Sequence, residues 1–228
     1  SKYISIITYE HSDYLNQCLS CEAKVRLIWG GNNTIDLFKQ YKTLPSTVDL
    51  TFPNRSSSAL IFPSNYNDLD KIQKIKIIEG FSKDISIFSQ RACSSPFYIY
   101  FLKSNDYNYD LKILKDFFKE VDNNIGKRYS HDIPCLENYK SSVDMIFTVE
   151  NKIEKFYKGK HLFIANNISS SYDNLFSYQP QYACLCLVPL ETLNDIQNRL
   201  SFDNQTIVNI PFNEDILNKL VGLVAPLG

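Results

Sequence analysis

The chain is poor in glycine, with seven in 228 residues. A complete α/β nucleotide-binding enzyme spends glycine on phosphate loops and tight strand-to-helix turns, so the count argues against a whole cofactor domain. Neither G-x-G-x-x-G nor G-x-x-x-x-G-K-[ST] occurs. No apolar run approaches the ~20 residues of a spanning helix. The opening SKYISIITYE lacks the basic start and small-residue cleavage site of a secretion signal, so a cytoplasmic protein without a membrane span is expected. A formal net charge of −1 provides no field for nucleic acid or anionic lipid, and neither is an expected partner. With 44% apolar and 21% charged residues the chain is globular in class.

Histidine is also scarce. His11, His131 and His161 show no H-x-x-x-H spacing and read as structural or solvent-facing, with His131 the one to test as partner of a cysteine. Cys18 and Cys21 form C-x-x-C, and Cys184 and Cys186 form C-x-C, enough to write down a four-thiolate zinc site. The first pair lies on a helical pattern and the second on a strand pattern, where i,i+3 and i,i+2 partners share a face. Core packing is therefore the expectation, and no metal.

The alternation of elements predicts an α/β fold. Tyr3–Tyr9 reads as a strand, HSD caps a helix through Cys21, and VRLIWGG is a second strand. Asn32, Asn33 and Thr34 then cap a helix. VDLTF and SALIF follow as short strands, and Asp68 to about Phe88 as a helix. FYIYFL is a buried strand, Asp106–Val121 a helix and Asp122–Asp132 a loop. Pro134–Lys152 is read as helix and HLFIA as strand, then a loop rich in Asn and Ser, then YACLCLV as strand. ETLNDIQNRL (helix), QTIVNI (strand), NEDILNKLVG (helix) and LVAPL (strand) complete the chain.

DISIFSQRACSSP, residues 84 to 96, holds Cys93 at a turn, because Ser94, Ser95 and Pro96 do not extend a helix. Arg91 two residues away and neighbouring hydroxyls favour a reactive thiolate, whereas a free cysteine is ordinarily a small buried hydrophobe. Gly30 and Gly31 end a strand and open a helix, where open α/β sheets bind ligands.

Three blocks in fixed order, VRLIWGGNNTI, VDLTFPNRSSSALIF and DISIFSQRACSSP, resemble the acyl-CoA reductases of the bioluminescence fatty-acid reductase complex. These are the LuxC type, a branch of the aldehyde dehydrogenase superfamily. QTIVNIPF and, more loosely, VAPLG extend the similarity. The resemblance implies an aldehyde-dehydrogenase-like catalytic α/β domain over 63–228, preceded over 1–62 by the last part of a doubly wound cofactor-binding domain. It implies Cys93 as acyl-accepting nucleophile and Trp29, Gly30 and Gly31 beside the nicotinamide, with NADPH as cofactor. The implied reaction takes a fatty acyl thioester, on CoA or a carrier, to the aldehyde. An acyl-transferring partner protein and a homo-oligomer belong to the same expectation. Where oxidising relatives carry the glutamate of Glu-Leu-Gly-Gly, this chain reads Leu50, Thr51, Phe52, Pro53, with Thr51 at about the glutamate position. In the superfamily a long segment carrying the earlier half of the cofactor sheet precedes these blocks, so the alternative is a truncated, non-catalytic domain with an assembly or acyl-partner-binding role.

Overall fold

The computed structural model describes residues 4–148, 153–167, 181–200 and 203–224. The chain forms two compact units, Ser1–Asn54 and Arg55–Gly228. The division falls earlier than the expected 62/63, because the strand Ser56–Ile61 pairs on both sides with strands of the second unit.

In the first unit, helix α1 (Asp13–Glu22) starts at Ser12, whose hydroxyl accepts the Leu15 N–H. Strand β1 (Val25–Trp29) and strand β2 (Val48–Phe52) pair in parallel, connected through helix α2 (Asn32–Gln40). Gly31 is the N-cap of α2 and Asn32 its first residue, rather than the expected Asn cap. Val25, Leu27 and Trp29 stand opposite Val48, Leu50 and Phe52 in register, and all six are exposed. The other face of β1 is buried and carries a charge. Arg26 donates through Nε to Asp49 at 2.7 Å, and through Nη1 to the Ser20 hydroxyl and the Phe38 carbonyl, both at 3.0 Å. The Arg26 guanidinium holds the Asp49 carboxyl below its ordinary range.

The expected strand at Tyr3–Tyr9 is not formed. Tyr3 lies outside the described residues, residues 4–10 are irregular, and Ile4, Ile6 and Ile7 are exposed. A β-branched run becomes a strand only when a neighbour takes its backbone donors and acceptors. Among the described residues the first sheet holds β1 and β2 alone.

The second unit is built on a six-stranded sheet. Its strands are β3 (Ser56–Ile61), β4 (Pro96–Leu102), β5 (Ile153–Lys158), β6 (Phe163–Asn167), β7 (Cys184–Leu190) and β8 (Asn204–Ile210), in the spatial order β5-β6-β7-β4-β3-β8. Only β5, which the sequence reading did not foresee, runs antiparallel to its neighbour. Helices α3 (Pro63–Asn67), α4 (Lys71–Ser86) and α5 (Tyr107–Arg128) precede α6 (Cys135–Thr148) and α7 (Glu214–Val224).

Strand β4 explains why FYIYFL is apolar throughout. Ile99 and Phe101 face Phe81, Ile85, Phe117 and Phe118 from α4 and α5, while Tyr98 and Tyr100 face the layer containing Met145, Ile196 and Leu220. A central parallel strand is covered on both faces and has no polar side. Each fully buried large side chain there contributes about 1.5–3 kcal/mol.

Several elements differ from expectation. The helix expected from Asp68 to about Phe88 starts at Lys71, where Asp70 and Gln73 form a capping box, and gives way after Ser86 to a 3-10 turn, Ile87–Gln90. Helix α5 runs through the expected loop to Arg128, its last turn buried by Ile125. Leu193–Asn198 is a 3-10 turn rather than an α-helix. Leu223 and Val224 continue α7, and the rest of the expected LVAPL strand lies outside the described residues, as do residues 168–180 of the Asn- and Ser-rich loop. Among the described residues no helix is long and apolar enough to cross a membrane.

Candidate functional site

Cys93 sits beyond a strained reversal. Helix α4 ends at Ser86, and the next turn places Phe88, Ser89 and Gln90 at φ 55°, 56° and 65°. A left-handed conformation costs roughly 1–2 kcal/mol for a residue with a Cβ, so three in succession require external support. Gln90 supplies it. Its buried amide donates to the Pro96 and Cys184 carbonyls, each at 3.1 Å, and accepts the Cys184 N–H at 3.1 Å. The Ser89 carbonyl accepts the Tyr182 N–H at 3.1 Å from a second left-handed pair, Tyr182 and Ala183, both at φ 57°.

The Cys93 backbone is fixed while its thiol is exposed. The buried Ser57 hydroxyl donates to the Cys93 carbonyl at 2.6 Å, linking β3 to the turn. The Ser95 N–H donates to the Ala92 carbonyl at 2.9 Å, and the Ser95 hydroxyl to the Asp84 carbonyl at 2.6 Å. Ser95 therefore ties the turn back onto α4. In sequence Arg91 is the cation nearest the thiol. Its guanidinium instead donates to the Gln181 side-chain oxygen at 2.9 Å and the Tyr182 hydroxyl at 3.0 Å, lying over the Tyr182 ring. Phe88, in the same turn, is 72% exposed and gives the turn an apolar flank.

In the first unit, Trp29 stacks on Phe52 with centroids 5.2 Å apart and leaves most of its ring exposed. Gly30 has a steric requirement: a Cβ there would come within 2.9 Å of Thr34 Cγ2 and 3.0 Å of its Cβ. Thr34 is β-branched and held in a helix, so it cannot rotate away cheaply. Gly31 has no such requirement, with φ −62° and ordinary contact to Asn54. A hollow of about 290 Å³ beside this turn has Trp29, Thr34, Arg26 and Phe38 in its wall. No side chain caps α2, so its first-turn N–H groups point outward as an anion-favouring end. Thr51 is half-buried in β2, opposite Ile28.

The other cysteines separate by burial. Cys184 and Cys186 are buried in one core layer, as their strand spacing predicted, and burial pushes both thiols up to about 12. Cys18 is exposed and Cys21 half-buried, against the expectation of core packing; α1 buries Asn16 and Ser20 instead. Among the described residues no three His, Cys, Asp or Glu side chains group to hold a metal. Nor does His131 pair with a cysteine there. The cysteine–histidine contact is Cys135 with His161, at 3.6 Å to Nε2. No local motif signals it, because its partners lie in separate elements.

A family model, "Acyl-CoA reductase (LuxC)", matches residues 1–207. The chain belongs to the LuxC acyl-CoA reductase family. Among solved structures, lactaldehyde dehydrogenase from Escherichia coli is similar at TM-score 0.59 and 14% identity, over 91% of this chain and 46% of that one. The aldehyde dehydrogenase KauB from Pseudomonas aeruginosa gives TM-score 0.61 at 9% identity, over 92% and 45%. The Delta-pyrroline-5-carboxylate dehydrogenase from Mycobacterium tuberculosis, bound with NAD and cobalamin, gives 0.57 at 7%, over 93% and 42%. These likenesses establish an aldehyde-dehydrogenase-like α/β fold, and the chain spans less than half the length of each. A search of curated protein sequences returns no match.

Proposed function

We propose that this LuxC-family chain contributes to reduction of a fatty acyl thioester to the aldehyde, with Cys93 as acyl acceptor. The observation that carries this reading is an exposed thiol on a backbone locked by Ser57 and Ser95. The Cys93 thiolate attacks the thioester carbonyl, and CoA or a carrier thiol leaves with the proton. The Cys93 and Ser94 N–H groups, which make no backbone bond among the described residues, are the candidate donors to the developing oxyanion. Phe88 offers an apolar surface to the acyl chain.

The first unit would be the last part of the cofactor domain and the second the catalytic domain. Trp29, Gly30, Gly31 and the uncapped start of α2 would hold a nicotinamide cofactor, NADPH by family resemblance. The hollow beside Trp29 fits an approaching planar group. When bound, the cofactor supplies the hydride. Thr51 in place of a carboxylate fits an acyl intermediate spared from water-activating base catalysis. An acyl-transferring partner, a homo-oligomer and a cytoplasmic setting complete the reading.

Incubation with radiolabelled tetradecanoyl-CoA tests it. A hydroxylamine-sensitive adduct is expected on the Cys93 peptide, together with NADPH-dependent aldehyde that Cys93→Ala abolishes. An unlabelled Cys93 peptide in the unmodified chain would sink the assignment and leave the non-catalytic assembly role.

A further inference from the structure

A second thiol has the parts of an acyl-transfer site. Cys135 opens α6, whose first intrahelical bond runs from the Asn138 N–H to the Pro134 carbonyl at 3.0 Å. The N–H groups of Cys135, Leu136 and Glu137 thus belong to the first turn, where the helix has no carbonyl to offer them. His161 lies beside the thiol, with Sγ 3.6 Å from Nε2 and 3.7 Å from Nδ1. Its Nδ1 is 2.7 Å from the Ile133 carbonyl. A carbonyl only accepts, so Nδ1 carries the hydrogen and Nε2 presents its lone pair.

The backbone that carries the imidazole is also anchored. The His161 N–H donates to Asp122 Oδ1 at 2.8 Å and the Lys160 N–H to Oδ2 at 3.1 Å. Gly126 of α5 leaves room for the ring, since a Cβ there would be 3.3 Å from Cδ2. Nucleophile and orienting carbonyl thus come from the start of α6, and the base from the approach to β6. The near-equal sulfur distances place Sγ off the Nε2 lone-pair direction. Such contacts are commonly loose before substrate binds. Cys135 is exposed, and the exposed Leu136 and Tyr139 on the same helix offer apolar surface next to it.

We propose that Cys135 and His161 form a second acyl-accepting site, loaded by thiol–thioester exchange. His161 Nε2 takes the Cys135 proton, sulfur bonds to the thioester carbonyl carbon, and the first-turn N–H groups of α6 face the oxyanion. The carbon–sulfur bond to the carrier then breaks, and the carrier thiolate takes the proton from His161. One thioester replaces another, with no oxidation or reduction. The choice of an acyl thioester rests on the proposed function, whereas the reactive pair does not. The Cys93 and Cys135 segments are tied through Tyr182, which donates its N–H to Ser89 and accepts the Asn138 amide on its carbonyl at 2.6 Å.

The test uses the full chain with radiolabelled tetradecanoyl-CoA, locating label by peptide mass spectrometry. In Cys93→Ser the Cys135 peptide should still be acylated, at least about tenfold faster than the exposed Cys18, and His161→Gln should remove about tenfold of that rate. Glutamine retains a donor for the Ile133 carbonyl, which limits damage to the fold. Iodoacetamide provides an acyl-independent measure, with Cys135 expected to alkylate before Cys18 and to lose that lead in His161→Gln. Label on Cys135 with none on Cys93 would remove the proposed function and leave this site standing. Label on Cys93 with Cys135 no faster than Cys18, or Cys135 labelling indifferent to His161→Gln, would overturn the second site.

Discussion

Gln90 and Cys184 exchange two hydrogen bonds across ninety-four positions of sequence, side-chain amide to backbone, each 3.1 Å long. The exchange joins the strained turn that presents Cys93 to the first residue of β7. With the third bond to Pro96, it also fixes where β4 begins. One side chain thus holds the thiol-bearing loop on the two strands that flank it.

Removing that clamp leaves the Cys184 N–H and the Cys184 and Pro96 carbonyls without their partner. Gln90→Ala should cost about 3 kcal/mol, read as a lower urea midpoint. Gln90→Glu is nearly isosteric yet replaces the donor with a carboxylate facing two carbonyls. Burial raises that carboxyl in the folded state, so its deficit should grow as pH rises through and above about 4.3. Equal stability of the wild-type and Gln90→Glu chains at neutral pH would show that the clamp contributes nothing.

Gly30 and Thr34 form a second testable pair. Gly30→Ala brings a methyl group within 2.9 Å of Thr34 and should destabilise the first unit by about 1–2 kcal/mol. Thr34→Ala removes Cγ2 and the hydroxyl but leaves Cβ 3.0 Å away, so the double variant should recover part of that loss. Additive losses in a double-mutant cycle would contradict the contact.

Alkaline pH provides a third measurement. Cys184 and Cys186 rise from an ordinary value of 9.0 to about 12 because burial penalises the thiolate. Between those values the folded chain keeps protons that the unfolded chain has released, so stability is full below pH 9 and falls as pH rises towards 12. Buried tyrosines such as Tyr98, raised by the same cause, add to the loss. Cys184→Ala/Cys186→Ala should show a shallower decline in urea midpoint from pH 9 to 11. An unchanged slope would mean that these thiols are less buried than the fold requires.

Much of the architecture was legible in the order of residues, because burial on two faces demands apolar runs and half-exposed helices demand a three-and-four spacing. FYIYFL and QTIVNI became strands, as did YACLCLV from Cys184 onward, its first two residues forming the left-handed pair instead. The family blocks were legible for a different reason: contiguous motifs carry their identity without any fold. Failures came where neighbours decide. YISIITY has the composition of a strand, but a strand exists only against a partner, and residues 4–10 have none among the described residues. Residues 122–128 are polar enough for a loop, yet one buried face, through Val121 and Ile125, carries α5 onward to Arg128. Arg91 stands near Cys93 in sequence, but Gln181 and Tyr182, brought across by β7, take its guanidinium. His161 and Cys135 belong to different elements, and only the packing of α5, α6 and the start of β6 makes them neighbours. Local sequence determines which conformations a segment favours. Hydrogen-bond partners and reactive pairs are decided by long-range packing, since they depend on side chains that meet only after the sheet has assembled.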